Sequence, residues 1–215
     1  MFHVYKIYPN NQVALIDVSL RLDKGDFAYI IGPSGAGKTT ILKLILCLER
    51  PTKGLVLISG INTATIRKSS VPYLRRNIGV IFQDLKLLTN RTVFENVALA
   101  LEIIGALQRE VQKKVWQVLR LVGLHNKSNL YPPSLSVGEQ QRVAIARAMV
   151  NDPLILLADE PTGNLDPEIT ASIMDLMGNI NARGTTVVVA THNPHLIRER
   201  HGKVFFLENG RVTGG

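Results

Sequence analysis

The sequence of 215 residues has only one cysteine, Cys47, which excludes an internal disulfide framework and a cysteine-based metal cluster. It also lacks any apolar stretch approaching the roughly 18 residues needed to span a bilayer, and residues 1–6 lack the apolar core of a signal peptide. We therefore expect a protein of a reducing compartment that is soluble, or attached to a membrane only through another molecule. Cys47 falls on the apolar side of a helix predicted over residues 40–48, where we expect a buried small side chain.

Long runs of like charge are also missing. The net charge is +8, from 25 Lys and Arg against 17 Asp and Glu, but the densest basic groups are pairs such as Arg75-Arg76 and Lys113-Lys114. Without a longer run or interleaved aromatic residues, this charge is typical of a solvated basic surface, with proximity to an anionic membrane as the alternative. We expect no nucleic acid partner.

A glycine-rich loop is the most informative feature that is present. Residues 32–39 read Gly-Pro-Ser-Gly-Ala-Gly-Lys-Thr, between an apolar run at 27–31 and helically spaced apolar residues at 40–48. Strand, glycine loop and helix form the context of a phosphate-binding loop, in which Lys38 reaches the β- and γ-phosphates and Thr39 ligates Mg²⁺. The predicted nucleotide-binding residues here are Gly32, Pro33, Ser34, Gly35, Ala36, Gly37, Lys38, Thr39 and Thr40.

Three further apolar runs predict buried strands that end in polar residues: 78–82 in Gln83, 154–158 in Asp159 and Glu160, and 185–190 in Thr191 and His192. Open α/β sheets bind ligands at the carboxyl ends of their strands. We therefore predict that Asp159 holds Mg²⁺ and that Glu160 orients and deprotonates a water. His192 is predicted to join Gln83 and Glu160 in a catalytic role.

The two ends of the chain favour antiparallel strands. Residues 1–25 predict a hairpin with a turn at Asn10-Asn11, and residues 204–212 predict another around 208–210. Tyr8 lies near the start of the chain, where an aromatic ring can stack on a nucleotide base. From position alone, packing against a neighbouring strand explains Tyr8 better.

Residues 85–150 have a helical character instead. Helices are predicted over 92–104 and 110–122, and a third follows Ser136. Ser136 and Glu139 have the spacing of a capping box, which satisfies the first backbone N–H groups of that helix. The same helix end can bind an anion, and the local sequence does not separate the two roles.

These elements predict one α/β domain over residues 1–215. Its P-loop NTPase (RecA-like) core, with an N-terminal antiparallel β region, is assigned to residues 1–84 and 154–215, and a helical subdomain is inserted at 85–153.

Taken in order, the motifs resemble those of ABC-type ATPases, the nucleotide-binding subunits of membrane transporters and related complexes. The resemblance covers essentially the whole chain: Walker A at 32–39, the Q-loop at Gln83, the signature at 135–140, Walker B at 154–159, the D-loop at 164–166 and the switch histidine at His192. It implies binding and hydrolysis of ATP with Mg²⁺, with Glu160 as the catalytic carboxylate and Gln83 as a further metal contact. It also makes Tyr8 the adenine-stacking ring, and it implies that Ser136, Gly138, Glu139 and Asp166 contact nucleotide.

The signature departs from the commonest Leu-Ser-Gly-Gly-Gln form, because Val137 replaces the first glycine and Glu139 the glutamine. We expect Val137 in a right-handed helical conformation, since left-handed backbone would strain a β-branched residue. Asn193 also follows His192 where the family often has an aspartate.

Within the family, residues 49–51, 71–79, 82–84 and 90–93 closely resemble the bacterial cell-division branch, whose members work with the integral membrane protein FtsX on septal cell-wall hydrolysis. This implies a head-to-tail homodimer with ATP between protomers, and a peripheral position on the cytoplasmic side of the inner membrane in contact with the division machinery. Residues 83–105 are the expected dock for the membrane partner. ATPases of lipoprotein-releasing or macrolide-export transporters are the alternative; solute importers and soluble ABC ATPases acting on DNA or ribosomes fit less well.

Overall fold

The computed structural model describes residues 1–9, 11–163, 165–197 and 202–214. Its strands are β1 (Phe2–Ile7), β2 (Val13–Val18), β3 (Phe27–Ile31), β4 (Lys53–Leu55), β5 (Leu57–Ile58), β6 (Ile61–Asn62), β7 (Ile78–Ile81), β8 (Ile155–Asp159), β9 (Thr186–Thr191), β10 (Lys203–Glu208) and β11 (Arg211–Gly214). Its α-helices are α1 (Lys38–Ile45), α2 (Val71–Arg75), α3 (Val93–Glu102), α4 (Gln108–Leu121), α5 (Val137–Met149) and α6 (Pro167–Ala182).

The central sheet has six strands in the order β11-β10-β3-β9-β8-β7. All neighbouring pairs from β10 to β7 are parallel, and only the terminal hairpin partner β11 is antiparallel. Strands β3, β8 and β9 are almost continuously buried, as expected for parallel strands covered on both faces. The predicted apolar runs therefore form the centre of an α/β sheet.

A second sheet of three strands, in the order β2-β1-β4, lies in the N-terminal part of the chain. The antiparallel pairing of β1 with β2 confirms the predicted hairpin, although Asn10 of its turn lies outside the described residues. The apolar run at residues 55–58 predicts a single strand, but these residues do not form one. The chain instead leaves β4 at Leu55 and forms the short β5–β6 hairpin.

The helices of the 85–150 region form a layer of their own. Helices α3 and α4 confirm the predictions within a few residues, and a capping box joins Thr92 to Glu95 at the start of α3. Gly123 follows α4 with a φ of 74°, the left-handed conformation that ends a helix. One apolar cluster joins this layer to the sheet, and a second joins α1 and the three-stranded sheet to the other face.

The predicted end of α1 is wrong, and so is the burial of Cys47 within it. The helix ends at Ile45, and Cys47 is half-buried with a φ of 53°. The N–H groups of Cys47 and Leu48 donate to the carbonyls of Leu44 and Lys43, which is the Schellman arrangement that usually carries glycine at the left-handed position. Because cysteine stands there instead, the sequence gives no stop signal.

No helix among the described residues is long and apolar enough to cross a membrane.

Candidate active site

Four neighbouring parallel strands bring the predicted polar residues to one edge of the sheet. The glycine loop follows β3, His192 follows β9, Asp159 ends β8 with Glu160 next to it, and Gln83 lies two residues beyond β7. Because β3, β9, β8 and β7 are adjacent in this order, the loop lies beside His192, and the carboxylates lie between His192 and Gln83.

The glycines of the loop are required by close backbone contacts. A Cβ atom on Gly32 would lie 2.0 Å from the carbonyl oxygen of Leu207, and Gly37 has a φ of 110°. Gly37 is also the N-cap of α1 and offers no side chain to the first N–H groups of the helix. Those N–H groups therefore remain available to an anion, which is the basis of phosphate binding at a helix N-terminus.

Lys38 lies almost buried inside this loop, at 7% exposure. Its ammonium donates to the carbonyl oxygens of Gly32, at 2.7 Å, and Pro33, at 3.0 Å. It also lies 3.4 Å from Oε1 of Glu160. The lysine charge is thus held between the loop and the strand-end carboxylate.

Thr39 and Asp159 meet beneath the loop. The Thr39 hydroxyl donates to Oδ2 of Asp159 over 2.8 Å. Burial raises the pKa of Asp159, and the hydrogen bond from Thr39 opposes this rise without cancelling it. A hydroxyl and a carboxylate oxygen side by side fit Mg²⁺, which prefers hard oxygen ligands and keeps several of its waters.

Glu160 is held from several sides in a left-handed conformation, with a φ of 48°. Its Oε2 accepts a hydrogen bond from the Thr191 hydroxyl, at 3.1 Å, and lies 3.0 Å from Nδ1 of His192. Burial acts to raise the pKa of Glu160, but the hydrogen bonds from the His192 side chain and backbone, with the charge of Lys38, outweigh it and hold the pKa below its ordinary value. Glu160 is therefore ionised at neutral pH.

Thr191 is a contact that the sequence reasoning missed. It is 1% exposed, and besides its bond to Glu160 its hydroxyl accepts the N–H of Asn193. The sequence shows it only as the last polar residue of an apolar strand, so the pairing with Glu160 depends on β8 and β9 being neighbours.

Gln83 stands apart from the carboxylates. It is exposed and borders an open cavity of about 620 Å³ that also has Pro132 and Gln140 in its wall. Gln83 and Glu160 are thus at the same sheet edge, but in the described chain no hydrogen bond joins them.

The start of α5 is a complete capping box. Ser136 accepts the N–H of Glu139, and the Glu139 carboxylate accepts the N–H of Ser136 and the ammonium of Lys127. The hydrogen bonds from the Lys127 ammonium and from the backbone N–H of Ser136 lower the pKa of Glu139. Val137 lies inside the helix and is not among the described residues with positive φ, which confirms its expected conformation.

Gly138, the second residue of α5, leaves no space for a side chain. A Cβ atom there would lie 2.7 Å from Cγ2 of Ile169 on α6. Asp166 caps α6 by accepting the N–H of Ile169, while Asn164 of the predicted D-loop lies outside the described residues. Gly138 and Asp166 therefore both have structural contacts within their own chain.

Tyr8 lies beside the phosphate-binding loop. Its hydroxyl is 3.4 Å from the hydroxyl of Thr40, the third residue of α1. Position alone favours packing of Tyr8 against a neighbouring strand. The hydroxyl of Tyr8 instead contacts helix α1.

A strand of a parallel sheet leads through a glycine loop into a helix, with Lys38 in the loop and Asp159 at the end of another strand of the same sheet. This arrangement defines a P-loop nucleotide-binding protein. The family model described as ABC transporter matches residues 15–163. The chain therefore belongs to the ABC transporter ATPases, and the predicted family, enzyme class and fold are confirmed.

Curated relatives and solved structures agree with this assignment. The chain is 50% identical to the cell division ATP-binding protein FtsE of Bacillus subtilis, with 99% of this chain and 93% of that protein covered. For FtsE of Escherichia coli strain K12 the identity is 46%, over 99% and 96% of the two chains. The dimeric structure of the bacterial ABC transporter cassette MJ0796 has a TM-score of 0.88 at 40% identity, over 99% and 95% of the chains. Its post-hydrolysis dimer bound to ADP and Pi has a TM-score of 0.87 at 39% identity, over the same shares.

Replacing His192 with alanine is expected to raise the pKa of Glu160. The substitution removes the side-chain hydrogen bond and the charge of His192, both of which lower this pKa, while the backbone hydrogen bond and the burial that raises the pKa remain. A carboxyl ¹³C NMR titration of the chain without nucleotide measures the change. The control is His195→Ala, because His195 donates its backbone N–H to Oδ1 of Asn193, and alanine keeps this hydrogen bond. An unchanged or lower Glu160 pKa in His192→Ala would contradict the assignment of these contacts.

Proposed function

We propose that this chain is the ATP-hydrolysing subunit of a bacterial cell-division complex of the FtsE–FtsX type. In this proposal it acts through the integral membrane protein FtsX on septal cell-wall hydrolysis, from the cytoplasmic side of the membrane. The main support is that two cell-division ATP-binding proteins match at 50% and 46% identity over 99% of this chain. The arrangement of Lys38, Glu160 and His192 at one sheet edge supports the hydrolytic part.

The proposed chemistry assigns a separate task to each side chain of that edge. Lys38 and the loop N–H groups bind the phosphates. Thr39, Asp159 and Gln83 would hold Mg²⁺, and this ion would offset the negative charge of the phosphates. Glu160 orients the attacking water and accepts its proton, since it is ionised and half-buried. His192 fixes the position of the Glu160 carboxylate relative to the γ-phosphate.

The second part of the proposal is a head-to-tail homodimer with ATP between the protomers. One chain has two helix ends suited to phosphate, the start of α1 and the start of α5, and they lie in different layers of the fold. In the dimer, the glycine loop of one protomer faces the Ser136 end of its partner, with Gly138, Glu139 and Asp166 nearby. The dimeric structures of MJ0796 support this arrangement.

The membrane partner is proposed to dock in a groove between α2, α3 and the outer edge of β7. The groove has a volume of about 660 Å³. Its wall includes apolar Leu48, Phe82, Leu99, Ile103 and Ile104, and the cations Arg75, Arg76, Lys86 and Arg147. An amphipathic cytoplasmic helix with acidic residues beside its apolar face would match this surface. Arg147 also donates to the carbonyls of Leu85 and Lys86, so the groove and the segment after Gln83 are mechanically connected.

Glu160→Gln is expected to keep ATP binding, to lose at least about 100-fold in turnover, and to accumulate an ATP-dependent dimer. The amide keeps the shape of the side chain but cannot accept the proton of the attacking water. Steady-state ATPase rates and light scattering with ATP measure both effects. Lys38→Ala serves as the contrasting variant, since it should lose ATP binding and remain monomeric. Turnover of Glu160→Gln at the parent rate would show that another group is the base.

Ser136→Ala separates the capping role of this residue from its proposed nucleotide contact. Thr92→Ala is the matched control, because Thr92 and Ser136 form the same capping box with Glu95 and Glu139. Each substitution is expected to cost about 1 kcal/mol of stability, measured by thermal unfolding. Only Ser136→Ala should also weaken ATP-driven dimerisation and ATPase activity. If the two variants lose activity equally, Ser136 is a helix cap and nothing more.

Ile103→Glu tests the proposed dock. Ile103 is 75% exposed, and a carboxylate there would break the apolar contact with a membrane partner. Co-purification of the variant with co-expressed FtsX is expected to fail, while its Tm stays close to that of the parent. Leu107→Glu is the control, because Leu107 is similarly exposed, at 73%, and lies on the same α3–α4 connection outside the groove wall. Undiminished capture of FtsX by Ile103→Glu would exclude this groove as the dock.

A further inference from the structure

A buried lysine lies beside the tyrosine of the candidate active site and has no part in the chemistry described so far. Lys6 is on β1 and is 8% exposed. Its ammonium donates to Oε2 of Glu49, at 2.7 Å, and to the carbonyl oxygen of Arg50, at 3.0 Å. A buried ammonium needs such partners, so the segment after α1 fixes the position of this charge.

The same ammonium lies over an aromatic ring. Nζ of Lys6 is 4.9 Å from the ring centroid of Tyr8, within the range in which a cation is attracted to the face of a ring. The opposite end of Tyr8 is also held, since its hydroxyl lies 3.4 Å from that of Thr40. The ring is therefore held by a cation at one face and by a hydroxyl at its edge.

Covering one face leaves the other as the stacking surface. Tyr8 is half-buried and the Lys6 ammonium covers one face of its ring, so a planar ligand that stacks on Tyr8 has to use the face away from the ammonium. Stacking on an aromatic ring requires a fixed ring plane and an open face. Lys6 fixes the plane of the Tyr8 ring and, by covering one face, determines which face is left for stacking.

We infer that Lys6, held by Glu49, is a positioning residue for the purine base, and that it acts through the ring of Tyr8. This inference rests on the proposed function, because it takes the bound nucleotide to be ATP and adopts the stacking of Tyr8 on adenine that the family resemblance implies. It goes further because it assigns part of the affinity for the base to a lysine that contacts neither the phosphates nor the reacting atoms. A purely structural Lys6–Glu49 pair would tether β1 to the end of α1 and leave nucleotide affinity unaffected.

A double-mutant cycle distinguishes these roles. The dissociation constant for a non-hydrolysable ATP analogue, with Mg²⁺, is measured by calorimetry for the parent, Lys6→Met, Tyr8→Ala and the double variant. Lys6→Met is expected to weaken binding about fivefold where Tyr8 is present, because that is the size of a typical cation–ring contact. In the Tyr8→Ala chain the same change should have less than about a twofold effect, since no ring remains to be positioned.

Two further variants keep the result interpretable. Lys203→Met removes another strand lysine that is paired with carboxylates, Asp23 and Asp26, and it should leave the affinity unchanged. If Lys6→Met does not fold, Lys6→Met/Glu49→Leu removes both charges together, which is better tolerated than leaving one charge alone.

Each outcome decides the inference. Equal effects of Lys6→Met in both backgrounds, or no effect in either, would overturn it while leaving the role of Tyr8 intact. A Tyr8→Ala chain with parent affinity would overturn the stacking role itself and this inference with it. That last result would leave phosphate binding by Lys38 untouched, so the two failures can be told apart.

Discussion

The parallel pairing of β3, β9, β8 and β7 is the constraint on which the candidate active site depends. Adjacent parallel strands present their carboxyl ends at one edge, and this edge collects the glycine loop, His192, the carboxylates and Gln83. A different strand order would leave every motif intact in sequence and separate them in space. The buried apolar strands therefore do more than form a core, since their order decides which polar residues become neighbours.

Two adjacent carboxylates at this edge acquire opposite properties from their surroundings. Burial dominates at Asp159 and raises its pKa, whereas His192 and Lys38 overcome burial at Glu160 and lower its pKa. Neighbouring acids with divergent pKa values are characteristic of sites in which each acid has its own task. This difference in pKa fits the proposed roles, in which Asp159 would bind a cation beside Thr39 and Glu160 would accept a proton.

The helical layer combines stability with proposed recognition in the same residues. The capping box at Ser136 satisfies the first N–H groups of α5, and the salt bridge from Lys127 holds Glu139 in place. A helix end that is already fixed by its own side chains loses little further freedom on meeting an anion. For this reason a structural cap and a nucleotide contact are compatible at one position.

Much of this fold follows from local sequence because local physics controls it. Apolar runs form the buried strands, and the Thr92, Ser136 and Asp166 caps set the starts of α3, α5 and α6. The glycine loop leads into the N-terminus of α1, which we propose binds phosphate. Where the local signal is absent, prediction fails: Cys47 ends α1 at a position usually taken by glycine, and β4 separates from β5 without a turn signal.

Only the tertiary structure decided which distant groups meet. The bond between Thr191 and Glu160, the placement of β10 beside β3, and the ion pair of Lys6 with Glu49 join residues that are far apart in the sequence. The sequence by itself determined the kinds of chemistry that the chain carries, because composition and spacing are local. The arrangement of those groups depends on strand order and side-chain packing, which are properties of the whole folded chain.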